Sequence, residues 1–80
     1  MKFKDKVALI TGAYQGLGKG IAKRLGAQGC KLILVDIDER VKDTEKEFNN
    51  ANIDAISIIG DVSEESTANS AVEQGVSKYN

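Results

Sequence analysis

Apolar residues along this chain gather in three short runs, each followed by a stretch with helical spacing. Val7–Thr11 (VALIT) is continuous, as expected of a strand buried on both faces. Beyond it, Leu17, Ile21 and Leu25 recur at helical intervals, with Ala22 beside them and Lys19, Lys23 and Arg24 turned to solvent. That predicts a first helix, ended by Gly29 as a left-handed cap. Lys31–Val35 (KLILV) reads as a second strand ending at Asp36. A second helix is expected from about Asp38, its N-cap, to Asn49, with the Asn49–Asn50 pair marking its end. Its apolar face holds only Val41 and Phe48 with Thr44 between them, which predicts loose packing on the sheet. Asp54–Ile59 (DAISII) is the third strand, closed by Gly60 and Asp61. Ser63 is the expected N-cap of a third helix, and Glu64 and Glu65 complement its dipole. Ala68, Ala71, Val72, Val76 and Tyr79 form its predicted buried stripe.

Strands alternating with helices imply an α/β fold: parallel strands joined by right-handed crossovers. Three such βα units with spatial order 3-2-1 make half of a doubly wound nucleotide-binding sheet. Residues 1–80 read as one unit, with no proline, linker, low-complexity segment or internal repeat. At 80 residues the core is modest, near the low end of what folds unaided. A net charge of −1 gives no electrostatic case for nucleic acid or an anionic membrane surface. No apolar run is long enough to span a bilayer, and the amino terminus lacks a signal-peptide pattern. Cys30 is the only cysteine and histidine is absent, so no disulfide and no metal site is expected. A cytoplasmic protein is the expectation.

The candidate chemistry sits where the first run meets the first helix, at Thr11-Gly12-Ala13-Tyr14-Gln15-Gly16-Leu17-Gly18. A buried strand feeding a glycine-punctuated loop and a helix start makes a seat for a pyrophosphate, held by loop amides and the helix dipole. Gly12 turns the chain off the strand, Gly16 lets phosphate oxygens approach the backbone, and Gly18 lets the helix pack close. Amides near Tyr14, Gln15, Gly16 and Leu17 are the expected donors, and Thr11 braces the loop through its hydroxyl. Three glycines can also serve only a turn. An ATP-type P-loop fits poorly, because Ala13 and Gly20 stand where that motif needs Gly and Ser or Thr.

Asp36 lies eighteen residues after Gly18, close to the spacing of the acid that grips an adenosine ribose. A carboxylate there accepts bonds from both ribose hydroxyls and repels a 2′-phosphate, which predicts NAD over NADP. The plainer reading is that Asp36 only starts a turn. Asp61 and Val62 follow the third strand, where a carboxylate and an amide can meet an adenine edge. On spacing alone, Asp61 is equally ordinary turn chemistry.

Together, TGAYQGLG, Asp36 and Asp61-Val62 resemble the short-chain dehydrogenase/reductase family, over all 80 residues but only the amino-terminal part of its usual domain. The resemblance implies a Rossmann fold in which Gly12, Gly16, Leu17 and Gly18 hold the pyrophosphate of NAD. It assigns the adenosine ribose to Asp36 and the adenine to Asp61 with Val62. It also implies a parent enzyme that moves hydride between NAD and a secondary alcohol or ketone. The family's Asn-Asn-Ala-Gly segment, catalytic Ser and Tyr-x-x-x-Lys pair have no counterpart here, so no catalytic residue is assigned. Tyr79 is expected to pack, Tyr14 to stay in the loop, and Lys19 and Lys78 to be solvated. Two other readings stand beside this one: a stand-alone, non-catalytic nucleotide-binding module, and an S-adenosylmethionine-binding methyltransferase fragment. The first strand's outer edge should be unpaired, leaving the chain marginal alone or assembled through that edge as a homo-oligomer.

Overall fold

The computed structural model describes residues 3–61 and 63–79. Three strands and three helices alternate: β1 Val7–Thr11, α1 Gly16–Ala27, β2 Lys31–Asp36, α2 Val41–Asn50, β3 Ala55–Ile59 and α3 Glu65–Tyr79. All pairing is parallel, and β2 lies between β1 and β3. Leu9 stands opposite Ile33, and Ile33 opposite Ile56.

Alternation along β2 builds two cores. Leu32 and Leu34 face α1 and α2, joining Ala13, Ala22, Val41, Phe48 and Ile53. Ile33 and Val35 face α3, joining Ile58 and Ala71. β2 is therefore the strand covered on both sides. β1 is an edge strand, as the expected order places it, but it is not buried on both faces: Val7, Leu9 and Thr11 are exposed. α3 packs over β2 and β3 and leaves that side of β1 bare. For the same reason Val72 and Val76, predicted to be buried, are 59% and 54% exposed, while Ala71, predicted with them, is buried and Gly75 joins it against the sheet. A side chain at Gly75 would run into Ile33.

The first helix also rotates away from expectation. Leu17 is 82% exposed and Ile21 lies open, while Ala22 and Gly26 are buried and Gly18 is half-buried. Small residues four apart let α1 sit close to the sheet and to Ile53, which a side chain at Gly26 would strike. Gly29 holds φ +91° just past the helix, with Gly29 N–H donating to Gly26 O and Cys30 N–H to Leu25 O. That is a Schellman cap, placed where the sequence puts it. α2 ends the same way, with Asn52 at φ +65° and Ile53 N–H donating to Phe48 O.

α2 begins at Val41, not Asp38, because Val41, Lys42 and Asp43 first close tight i→i+3 bonds onto Asp38, Glu39 and Arg40. It is not loosely held. Val41 and Phe48 are buried, and three side chains on one face grip the outer edge of β3. Lys42 Nζ donates to Ser57 O, Glu45 Oε1 accepts from Ser57 N–H and Oγ–H, and the Asn49 amide exchanges two bonds with Ala55. This shields one edge of the sheet from strand addition; β1 has no such cover among the described residues. α3 starts at Glu65, with Ser63 bonded back to Asp61 instead of capping the helix. Tyr79 packs as expected, its hydroxyl near Leu32 O and Asp54 Oδ1, and burial pushes its phenol pKa up. Lys19 is not merely solvated, for it pairs with Glu47 at 2.9 Å and ties α1 to α2.

Candidate functional site

The turn from β1 into α1 uses its three glycines for two separate reasons. Gly12 and Gly16 adopt φ +62° and +67°, conformations that L side chains rarely hold. A Cβ at either would meet no heavy atom within 4 Å, so the space above the loop is open. At Gly18 the situation reverses: a Cβ would overlap the carbonyl of Gly12, so this glycine sets the helix against the loop. α1 then starts with no side-chain cap from Gln15 and no acid in its first turn. Its first N–H groups have no intrahelical acceptor, which leaves the positive dipole end open to an anion.

Asp36 joins this loop to the sheet. It is half-buried at the carboxyl end of β2, and its Oδ2 accepts Tyr14 N–H at 2.9 Å. Its Oδ1 accepts Asp38 N–H, also at 2.9 Å. Asp36 therefore does begin the following turn, and it also fixes the loop. Each oxygen keeps a second acceptor direction for a ligand hydroxyl. The Tyr14 amide, expected among the phosphate donors, is spent on Asp36, which leaves Gln15, Gly16 and Leu17. The bracing expected of Thr11 comes from elsewhere. Thr44, buried on α2, donates from its hydroxyl to Tyr14 O at 3.1 Å. Thr11 makes no side-chain hydrogen bond among the described residues.

A crevice of about 340 Å³ opens between the first loop and the end of β3, lined by Thr11, Gly12, Val35, Asp36, Ile37, Gly60 and Asp61. Two predicted acids thus share one cavity. Asp61 Oδ1 is taken by the amide and hydroxyl of Ser63 at 2.9 and 2.7 Å, and these bonds hold its carboxyl below the usual carboxylate range. The turn reading of Asp61 is therefore visible, with Oδ2 left over. Val62 lies outside the described residues.

Ile37 is the lining residue that sequence reasoning missed. It is 72% exposed beside Asp36, and an exposed isoleucine directly after a strand-ending acid was the available signal. Arg40, visible in the sequence only as the first cation after Asp36, is the second residue whose contacts were missed. Its guanidinium stacks 4.7 Å from the Tyr14 ring centroid and pairs with Asp38 through Nη2 at 2.8 Å and Nε at 3.1 Å. Each partner favours the other's charged form, lowering the Asp38 pKa and raising that of Arg40.

This arrangement suits an elongated anion with a sugar at one end. The uncapped helix start and the open glycines offer a place for a diphosphate, the Asp36 oxygens for ribose hydroxyls, and Ile37 for a flat apolar ring. Among the described residues no group of three or more acids, cysteines or histidines could hold a metal ion. No helix among them is long and apolar enough to cross a membrane.

Comparison with known proteins points the same way. A family model described as short chain dehydrogenase matches residues 6–80. A diacetyl reductase, (S)-acetoin forming, from Staphylococcus epidermidis is 41% identical over 76 residues, covering 94% of this chain and 30% of that protein. The crystal structure of a short chain dehydrogenase/reductase from Burkholderia phymatum in complex with NAD superposes with a TM-score of 0.92 at 30% identity, covering 99% of this chain and 28% of that one. A metagenomic short-chain oxidoreductase in complex with NADP superposes at 0.85 with 28% identity, covering 99% and 36%. The chain spans less than a third of the length of the curated relatives it matches.

Proposed function

The chain belongs to the short chain dehydrogenase family, and from that premise we propose that it holds the adenosine and diphosphate parts of NAD. The observation that carries this reading is Asp36, whose carboxylate stands in the crevice while gripping the loop through Tyr14 N–H. Gln15, Gly16 and Leu17 amides take the diphosphate, with Gly12 and Gly18 shaping the loop. Asp36 takes the ribose hydroxyls, and Asp61, Val62 and Ile37 take the adenine. When bound, NAD supplies the hydride acceptor or donor; these residues bind and orient it. Relatives with similar chains carry either NAD or NADP, so the preference for NAD rests on Asp36. A carboxylate beside a 2′-phosphate is a like-charge contact, which disfavours binding.

We also propose that the whole enzyme interconverts a ketone and a secondary alcohol, a reading supported by the diacetyl reductase among its relatives. Neither tyrosine described here is placed as the acid/base group. Tyr79 is directed at Leu32 O and Asp54, and Tyr14 is locked in the loop under Arg40.

Calorimetric titration of the 80-residue chain tests the cofactor reading. NAD should bind saturably and at least tenfold more tightly than NADP, about 1.4 kcal/mol. Equal affinity for the two would remove the role given to Asp36, and no binding of either would remove the site.

A further inference from the structure

Arg40 is the first cation in the chain after Asp36. Two contacts place it beside the ribose end of the crevice. Its guanidinium lies over the Tyr14 ring, and the Tyr14 amide is bound to Asp36 Oδ2. Its partner Asp38 donates its own amide to Asp36 Oδ1. Arginine is the side chain best matched to a phosphate, through paired N–H donors in a fixed fork. Here the Nε/Nη2 edge of that fork is occupied: Nε donates to Asp38 Oδ1 and Nη2 to Asp38 Oδ2. Asp43 adds a further negative charge facing Arg40.

We propose that Asp38 is a positioning residue for cofactor choice, holding Arg40 as a closed pair and so denying it to a 2′-phosphate. This rests on the NAD reading above. Asp36 excludes the phosphate by direct repulsion; Asp38 acts through another side chain, by keeping Arg40 engaged. The paired geometry is local, because Asp38 Oδ1 also accepts the Arg40 amide at 2.9 Å. A change at Asp38 therefore need not disturb β2 or the glycine loop.

The test uses Asp38→Asn, which keeps a side-chain oxygen for the Arg40 amide but loses the charge and the second fork acceptor. NAD and NADP are each titrated into the wild-type chain, Asp38→Asn, and Asp38→Asn/Arg40→Ala. One released charge-assisted contact should tighten NADP binding by roughly tenfold in Asp38→Asn, with NAD changed less than about twofold. The double variant should return NADP to its wild-type affinity. An unchanged NADP:NAD ratio in Asp38→Asn overturns the proposal. So does a gain that survives loss of Arg40, because removal of one negative charge would then suffice. In both cases wild-type binding of NAD leaves the cofactor site standing; failure of the wild-type chain to bind NAD removes site and proposal together.

Discussion

Replacing Gly18 by alanine should lower the thermal midpoint by roughly 5–20 °C and abolish NAD binding, although only one methyl group is added. The new Cβ falls on the carbonyl of Gly12, a backbone atom with no rotamer to yield. Overpacking of this kind costs about 1–3 kcal/mol, and in a domain of this size each kcal/mol shifts the midpoint by about 4–8 °C. Binding suffers separately, since any relief pushes the start of α1 away from the loop and spreads the amides of Gln15 to Leu17. Gly20→Ala is the control. Gly20 lies on the same helix with nothing within 4 Å of a Cβ, so alanine there should leave stability unchanged or raise it by up to about 1 kcal/mol. Circular-dichroism melts of the two variants check this; equal midpoints would mean that α1 and the loop are not in close contact.

Asp36→Ala should weaken NAD binding by at least about 100-fold and erase most of the discrimination against NADP. Hydrogen bonds to a charged group contribute about 1.5–3 kcal/mol each, and the carboxylate is assigned two to the ribose. The same substitution leaves the amides of Tyr14 and Asp38 without their acceptor. A moderate loss of stability should therefore accompany the loss of affinity, about 1–3 kcal/mol for a group left unsatisfied and less where water reaches it. Asp36→Asn separates the two effects. It keeps one oxygen for an amide, so stability should fall less while NAD preference still goes. Calorimetry beside a melt reads both, and a variant that binds NAD like the wild type would count against the ribose assignment.

Strand positions were largely legible in the sequence because β2 and β3 carry concentrated apolar runs ended by Asp36 and Gly60. The end of α1 was legible too, since the left-handed cap favours glycine at position 29; the Asn49–Asn50 pair marked the end of α2, although the left-handed residue there is Asn52. The buried faces of α1 and α3 were not. Apolar periodicity selects large side chains, so it chose Leu17, Ile21, Val72 and Val76. Ala22 and Ala71, which the same stripes contained, do face the sheet, but their neighbours there are Gly26 and Gly75, where missing side chains permit close approach. The grip of α2 on β3 was hidden because Lys42, Glu45 and Asn49 read as solvent-facing residues until β3 is placed beside them.

At the site, spacing brought out Gly12, Gly16, Gly18, Asp36 and Asp61, and the fold gathers them around one loop and one crevice. What spacing could not supply was the allocation of hydrogen bonds. The Tyr14 amide faces Asp36, Thr44 braces the loop in place of Thr11, and Asp38 clasps Arg40 instead of capping a helix. Each of these depends on residues brought together by the sheet, over separations that no local pattern records.

A crystal structure of this chain grown with NAD is the most direct measurement. It should place both hydroxyls of the adenosine sugar on the Asp36 oxygens and the two phosphates over the backbone nitrogens of 15–17. Density for the dinucleotide elsewhere, or a sugar turned away from Asp36, would contradict the account.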